Sequence, residues 1–140
     1  MSEIMVAVGA IIEDNDGRIL LVKHKPERRG YWQDKWICPG GRLEPGETME
    51  DGAKREVKEE TDLDIEVTRL LLPFERVVNG DGEITLHVIY IDFMAKVVGG
   101  EFTPRSDVGE GKWVSRDELS VIWDDLHADT RRLLALAGMV

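Results

Sequence analysis

Apolar residues fall into short runs separated by polar turns, and the runs differ in period. Ile4 to Ile12, dense in Val, Ile and Ala, predicts a strand. Asp14-Asn15-Asp16-Gly17 predicts a turn, and Arg18 to Lys25 the antiparallel partner of that strand. Lys25 to Lys35 is polar, carries Pro26 and Gly30, and reads as a loop. Trp36-Ile37-Cys38 predicts a short strand stopped by Pro39-Gly40-Gly41, followed by a loop from Arg42 to Glu47. Further on, Ile65 to Glu75 reads as a strand interrupted by Pro73, Asn79-Gly80-Asp81-Gly82 as a turn, and Ile84 to Val98 as a long strand. Thr103 to Gly111 reads as a loop and Lys112-Trp113-Val114 as a short strand; Arg116 to Leu119 starts a helical turn. Ala128 to Ala137 predicts a closing helix.

Thr48 to about Thr61 carries the clearest helical pattern. Thr48 is a candidate N-cap with Asp51 three residues on, and Glu50 and Asp51 suit the positive end of the helix dipole. Met49, Ala53 and Val57 recur every four residues as an apolar stripe. No glycine closes the helix; Asp62 stands there, and Asp tolerates left-handed backbone better than most residues. Two helices among several strands imply an α+β or a layered α/β domain.

The helix has a second face. At about 100° per residue, Glu56 and Glu60 lie about 40° apart, and Glu56 and Glu59 about 60° apart the other way. Three carboxylates thus share an arc of about 100°. Their mutual repulsion is absorbed either by solvent, as on any acidic helix face, or by a divalent cation. An all-oxygen ligand set selects Mg²⁺ or Mn²⁺, and Mg²⁺ typically shares its shell with water and substrate phosphates.

Charge sharpens this picture. The 140 residues suit one domain, and 42% apolar content suffices for a core. Acidic residues number 28 and basic ones 18, for a net charge of −10. Nucleic acid is therefore an unfavoured partner, and so is an anionic membrane; an anionic substrate needs a local cation to offset the repulsion. Cys38, the single cysteine, excludes an internal disulfide and a multi-cysteine zinc site. The N-terminal stretch lacks a basic leader and no apolar run approaches the roughly 20 residues that span a bilayer. A soluble cytoplasmic protein is expected. His24, His87 and His127 are scattered and read as structural or surface residues; no phosphate-loop or His-Glu-x-x-His motif occurs.

From Gly41 the spacing is Gly41, five residues, Glu47, seven residues, Arg55-Glu56-Val57, one residue, Glu59-Glu60, one residue, Asp62-Leu63. This resembles the signature box of the Nudix hydrolases. Eight of nine specified positions match, and Asp62 stands where the family usually has glycine. The flanks Trp36 to Gly41 and Lys112 to Leu119 are also similar to the family's. The resemblance implies a single domain over residues 1–140 with an α/β/α sandwich around a mixed β-sheet. It implies a pyrophosphatase that uses magnesium (manganese as a substitute) to hydrolyse a nucleotide. Glu56 and Glu60 become metal ligands, and Glu59 a ligand or the base that activates water. A backbone carbonyl at Gly40 or Gly41 completes the shell, while Arg55 pairs with a glutamate, Glu47, that fixes its rotamer. Glu44 and Glu110 are candidates for a further acid; each has the alternative of a solvated loop residue. Family members are often dimers, so a homodimer is carried as an expectation.

Outside the box the substrate candidates are Tyr31 and Trp32 for base stacking, Trp123 for base reading or plain packing, and the cations Arg28 and Lys35 of a basic loop. That loop favours ADP-ribose or a similar sugar nucleotide, a nucleoside diphosphate linked to another moiety. Nucleoside triphosphate hydrolysis of a housecleaning type follows closely. A noncatalytic nucleotide-binding regulator is the alternative of another class; retention of all box glutamates disfavours it.

Overall fold

A computed structural model describes residues 3–140, so the first two residues of the expected 1–140 domain lie outside the described part. Seven strands form one mixed sheet: β1 (Ile4–Glu13), β2 (Ile19–His24), β3 (Gly40–Arg42), β4 (Asp64–Leu70), β5 (Phe74–Gly80), β6 (Glu83–Gly99) and β7 (Val108–Val114). Helices α1 (Met49–Thr61), α2 (Arg116–Leu119) and α3 (Ala128–Leu136) complete the chain, with short 3₁₀ turns at Pro26–Arg28 and Trp123–Asp125. The path across the sheet is β4-β6-β1-β2-β7, with β3 on β1 and β5 on β6.

The expected α/β/α sandwich is observed. Residues of β1 point alternately to the two faces. Ala10 and Ile12 join Val57 of α1 in one core cluster, and Val8 packs with Ala53. Ile11 instead joins Leu119, Leu126, Leu133 and Leu134 beneath α2 and α3.

Four expectations need correction. The β1–β2 hairpin is antiparallel as expected but short, paired at Glu13 with Ile19 beside its turn; β1 runs parallel to β6 from Ile4–His87 to Glu13–Lys96, and β2 runs along β7. β6 takes one edge of β1, and on the other edge β3 takes Ala7 to Gly9, which leaves β2 the stretch beside the turn. The strand expected at Trp36–Cys38 is reduced to single bridges from Ile37 to Val22 and from Trp36 to Leu126. Pairing continues instead through the glycines expected to stop it, because β3 approaches β1 so closely that a Cβ at Gly40 would lie 2.6 Å from the Val8 carbonyl oxygen. The loop expected from Thr103 to Gly111 becomes strand at Val108, where Gly111 faces Val22 of β2. Finally, Met49 is 41% exposed in the first turn of α1, and the buried face is Gly52, Ala53, Val57, Glu60 and Thr61. Among the described residues no helix is long and apolar enough to cross a membrane.

Candidate functional site

The ends of α1 hold its carboxylates in place. Thr48 Oγ1 accepts the Asp51 N–H at 3.1 Å, so the expected N-cap is made. At the other end Asp62 adopts φ 63°, the left-handed conformation expected where the box has lost its glycine, and its N–H closes on the Lys58 carbonyl at 3.0 Å. The Glu60 and Thr61 carbonyls accept the N–H groups of Arg105 and Thr103, which ties the 101–107 segment to the helix end.

Arg55 is the centre of the acidic cluster. Its Nε and Nη2 donate to Glu47 Oε2 and Oε1 at 2.6 and 2.8 Å, a two-pronged bond, and Nη2 also reaches the Arg42 carbonyl at 3.0 Å. Nη1 donates to Glu56 at 2.8 Å and Glu59 at 3.0 Å, and lies 3.8 Å from Glu44. Four carboxylates therefore share one guanidinium. The Arg55 bonds, helped by the Glu44 N–H, hold Glu47 down at about 2. Its carboxylate partners hold the Arg55 proton more tightly than usual.

Glu56 and Glu60 stand where α1 meets β3. A Cβ at Gly41 would collide with the Glu56 carboxylate, so the glycine makes room for it. Glu60 is 6% exposed and Oε1 accepts the Gly40 N–H at 2.9 Å. Burial pushes Glu60 up to about 8 against the opposing Gly40 bond, and burial also raises Glu56 despite Arg55. Both line a cavity of about 460 Å³ together with Gly40 and Gly41.

Of the residues selected outside the box, Arg28 and Trp32 line this cavity. Arg28 Nε pairs with Asp107 at 3.0 Å, and Trp32 Nε1 donates to Tyr90 Oη at 2.9 Å. Tyr31 lies beside Trp32 and His127, ring edge to ring face. Lys35 donates to the Asp124 carbonyl at 2.8 Å and Trp123 packs against the α3-side core; neither lines the cavity. Glu110 is exposed in β7 opposite Lys23, whereas Asp107 of the same segment lines the cavity and its charge bears on Glu60. The sequence pattern missed Tyr90, Asp92 and Asp129, which also line the cavity. His127 caps α3: Nδ1 accepts the Asp129 N–H at 3.0 Å.

The donor set suits a hard divalent cation. It consists of carboxylates and backbone carbonyls, and the buried Glu60 carboxylate is poorly compensated by the protein alone. Among the described residues no three acidic, His or Cys side chains are already gathered as a cage; Arg55 Nη1 lies between Glu56 and Glu59.

The NUDIX domain profile matches residues 3–136. The chain belongs to the NUDIX family. It is 38% identical over 114 residues to an ADP-ribose pyrophosphatase of Methanocaldococcus jannaschii, covering 81% of this chain but 63% of that relative's length. It is 29% identical over 136 residues to the nucleoside triphosphatase NudI of an Enterobacter species, covering 92% and 94% of the two chains. A NUDIX hydrolase structure from Nitrosomonas europaea superposes with a TM-score of 0.78 at 25% identity, over 97% of this chain and 89% of that one. Membership makes this chain a hydrolase of acid anhydrides, acting on a pyrophosphate bond. NUDIX hydrolases generally depend on a divalent metal and act on small nucleotides.

Proposed function

We propose that this NUDIX hydrolase cleaves a nucleoside diphosphate linked to another moiety, with ADP-ribose or a similar sugar nucleotide as lead substrate, using Mg²⁺ or Mn²⁺. The supporting observation is that Glu56 and Glu60 open on the same cavity as Trp32, Tyr90 and Arg28. One continuous space thus offers acidic groups for metal and diphosphate at one side and aromatic walls for a nucleoside at another.

Glu56, Glu59 and Glu60 would hold the ion, with a carbonyl of Gly40 or Gly41. When bound, the ion supplies charge neutralisation at the diphosphate and acidifies water. The chain's own residues do the rest. Arg55, locked by the Glu47 fork, fixes the rotamers of Glu56 and Glu59. Glu59, the most solvent-open of these three acids, takes the proton of the attacking water. The water oxygen joins phosphorus, the anhydride P–O bond breaks, and two phosphate monoesters leave. Glu44, 3.8 Å from Arg55 Nη1, is the candidate for a further acid.

A second reading, nucleoside triphosphate hydrolysis, draws on the NudI match over nearly the full length of both chains. A panel of ADP-ribose, UDP-sugars and nucleoside triphosphates separates the two. Phosphate is read after phosphatase treatment, with Mg²⁺, Mn²⁺ or EDTA. The lead reading expects ADP-ribose or a UDP-sugar to be cut fastest and EDTA to abolish turnover. Faster cleavage of triphosphates supports the second reading. Binding without turnover of any compound overturns both in favour of a regulator.

A further inference from the structure

The cavity wall on the α3 side contains polar groups of two kinds. One kind is already spent: Trp32 donates to Tyr90, Tyr90 donates to Asp129 at 2.6 Å, and Arg76 donates to the other Asp129 oxygen. The other kind is free. Asp92 of β6 is 7% exposed and Thr130 of α3 is 6% exposed; both line the cavity. Among the described residues neither side chain has a hydrogen-bond or ion-pair partner, and both face the cavity.

Gly9 leaves room for the Pro39 carbonyl and, beside it, for this carboxyl. Asp92 pairs with Gly9 across the parallel β1–β6 ladder, and a Cβ at Gly9 would come within 3.0 Å of Asp92 Oδ1. Its same-face neighbours along β6 are Tyr90 and Met94. Cys38 adds a thiol whose proton is held by burial and by the Asp92 charge. A buried carboxyl without a donor or cation partner favours its neutral form, and burial raises Asp92 to about 7. A neutral carboxyl presents one donor beside one acceptor. Aromatic and aliphatic walls, from Trp32, Phe74 and Leu133, suit a flat ring, and the uncompensated acid is a poor neighbour for a phosphate.

We propose that Asp92 is a specificity-determining residue whose carboxyl pairs with the edge of a nucleobase, a ring edge carrying one hydrogen-bond donor beside one acceptor, with the Thr130 hydroxyl as a second contact. This rests on the reading of the box as the diphosphate site. It assigns the base to the α3 face of the sheet and the diphosphate to the α1 edge.

Nucleoside monophosphates test it, because they carry no anhydride bond and bind whichever anhydride the enzyme cuts. Dissociation constants for AMP, CMP, GMP and UMP, and for ribose 5-phosphate as a control without a base, are measured calorimetrically with Mg²⁺ present. The full chain is compared with Asp92→Asn, Asp92→Leu and Thr130→Val. Asp92→Leu is expected to weaken the best-bound monophosphate at least ~10-fold and to leave ribose 5-phosphate unchanged. Asp92→Asn, which keeps one donor and one acceptor, is expected to stay within about 3-fold of wild type, and Thr130→Val to lose less than Asp92→Leu. The monophosphate that binds best identifies the base. The proposal is overturned if Asp92→Leu binds as wild type does, if ribose 5-phosphate weakens equally, if Asp92→Asn loses as much as Asp92→Leu, or if wild type binds none of the four. Circular dichroism of each variant checks the fold, and if Asp92→Leu misfolds, Asp92→Ala replaces it with the same expected loss and the same overturning results.

Discussion

Two acidic centres border one cavity from opposite faces of the sheet, and their carboxylates are treated differently. On the α3 face Asp129 is 3% exposed and fully compensated: two Arg76 nitrogens donate to Oδ1, at 2.9 and 2.7 Å, and Tyr90 donates to Oδ2. On the α1 face Arg55 serves four carboxylates at once, while Glu60 is buried behind them with the Gly40 N–H as its hydrogen-bond partner. Compensation marks Asp129 as a structural acid. The shortfall of positive charge around Glu56, Glu59 and Glu60 is what the proposed cation would make good.

Substitution is the direct way to break this contrast. Glu56→Gln or Glu60→Gln is expected to lower turnover at least ~100-fold; Glu60→Gln, which breaks no ion pair, should do so with no loss of thermal stability in metal-free buffer, whereas Glu56→Gln also gives up its pair with Arg55. Wild-type rates in either variant would remove the assignment. Arg76→Ala should behave in the opposite sense. It strands Asp129, and urea titration should show a loss of about 2 kcal/mol, below the range for a wholly buried pair because Arg76 is partly exposed. A shift within error would mean that Asp129 finds other compensation.

Smaller effects sharpen the comparison. Glu47→Gln weakens the fork that steers Arg55 without touching Glu60, so a roughly 10-fold drop in kcat with a lowered melting temperature at neutral pH is expected. A loss equal to that of Glu60→Gln would make Glu47 a ligand rather than a positioning residue. Asp92 gives a signal that depends on pH. Burial raises its folded pKa from 3.8 to about 7, so the folded state binds more protons than the unfolded state between about pH 4 and 7. Stability from this group is full below pH 4 and is lost as pH rises to 7. Asp92→Asn should therefore be more stable than wild type at pH 8, with the gap closing toward pH 4. A pH-independent gap, or one of opposite sign, would show that Asp92 is compensated after all.

These two centres were unequally legible in the sequence. The box lies within one helix and its preceding loop, where spacing alone places Glu56, Glu59 and Glu60 on one arc and Thr48 at the cap. A signal for the burial of Glu60 was also present, since it stands three residues beyond Val57, in line with the Ala53 and Val57 stripe. Met49 misled because it sits in the exposed first turn. The Asp129 network was not legible. Trp32, Arg76, Tyr90 and Asp129 come from a loop, two strands and a helix; the β5–β6 pairing brings Arg76 near Tyr90, but Trp32 and Asp129 reach Tyr90 from 58 and 39 residues away. Asp92 looks like an ordinary polar residue in a strand until the register sets it against Gly9.

The central claim is that an ion sits among Glu56, Glu59 and Glu60. A crystal grown with Mn²⁺ and a non-hydrolysable diphosphate, with data collected at the manganese absorption edge, tests it most directly. The account predicts an anomalous peak coordinated by Glu56 and Glu60, with the diphosphate against it. A peak elsewhere, or these carboxylates turned away from the metal into solvent, would contradict it.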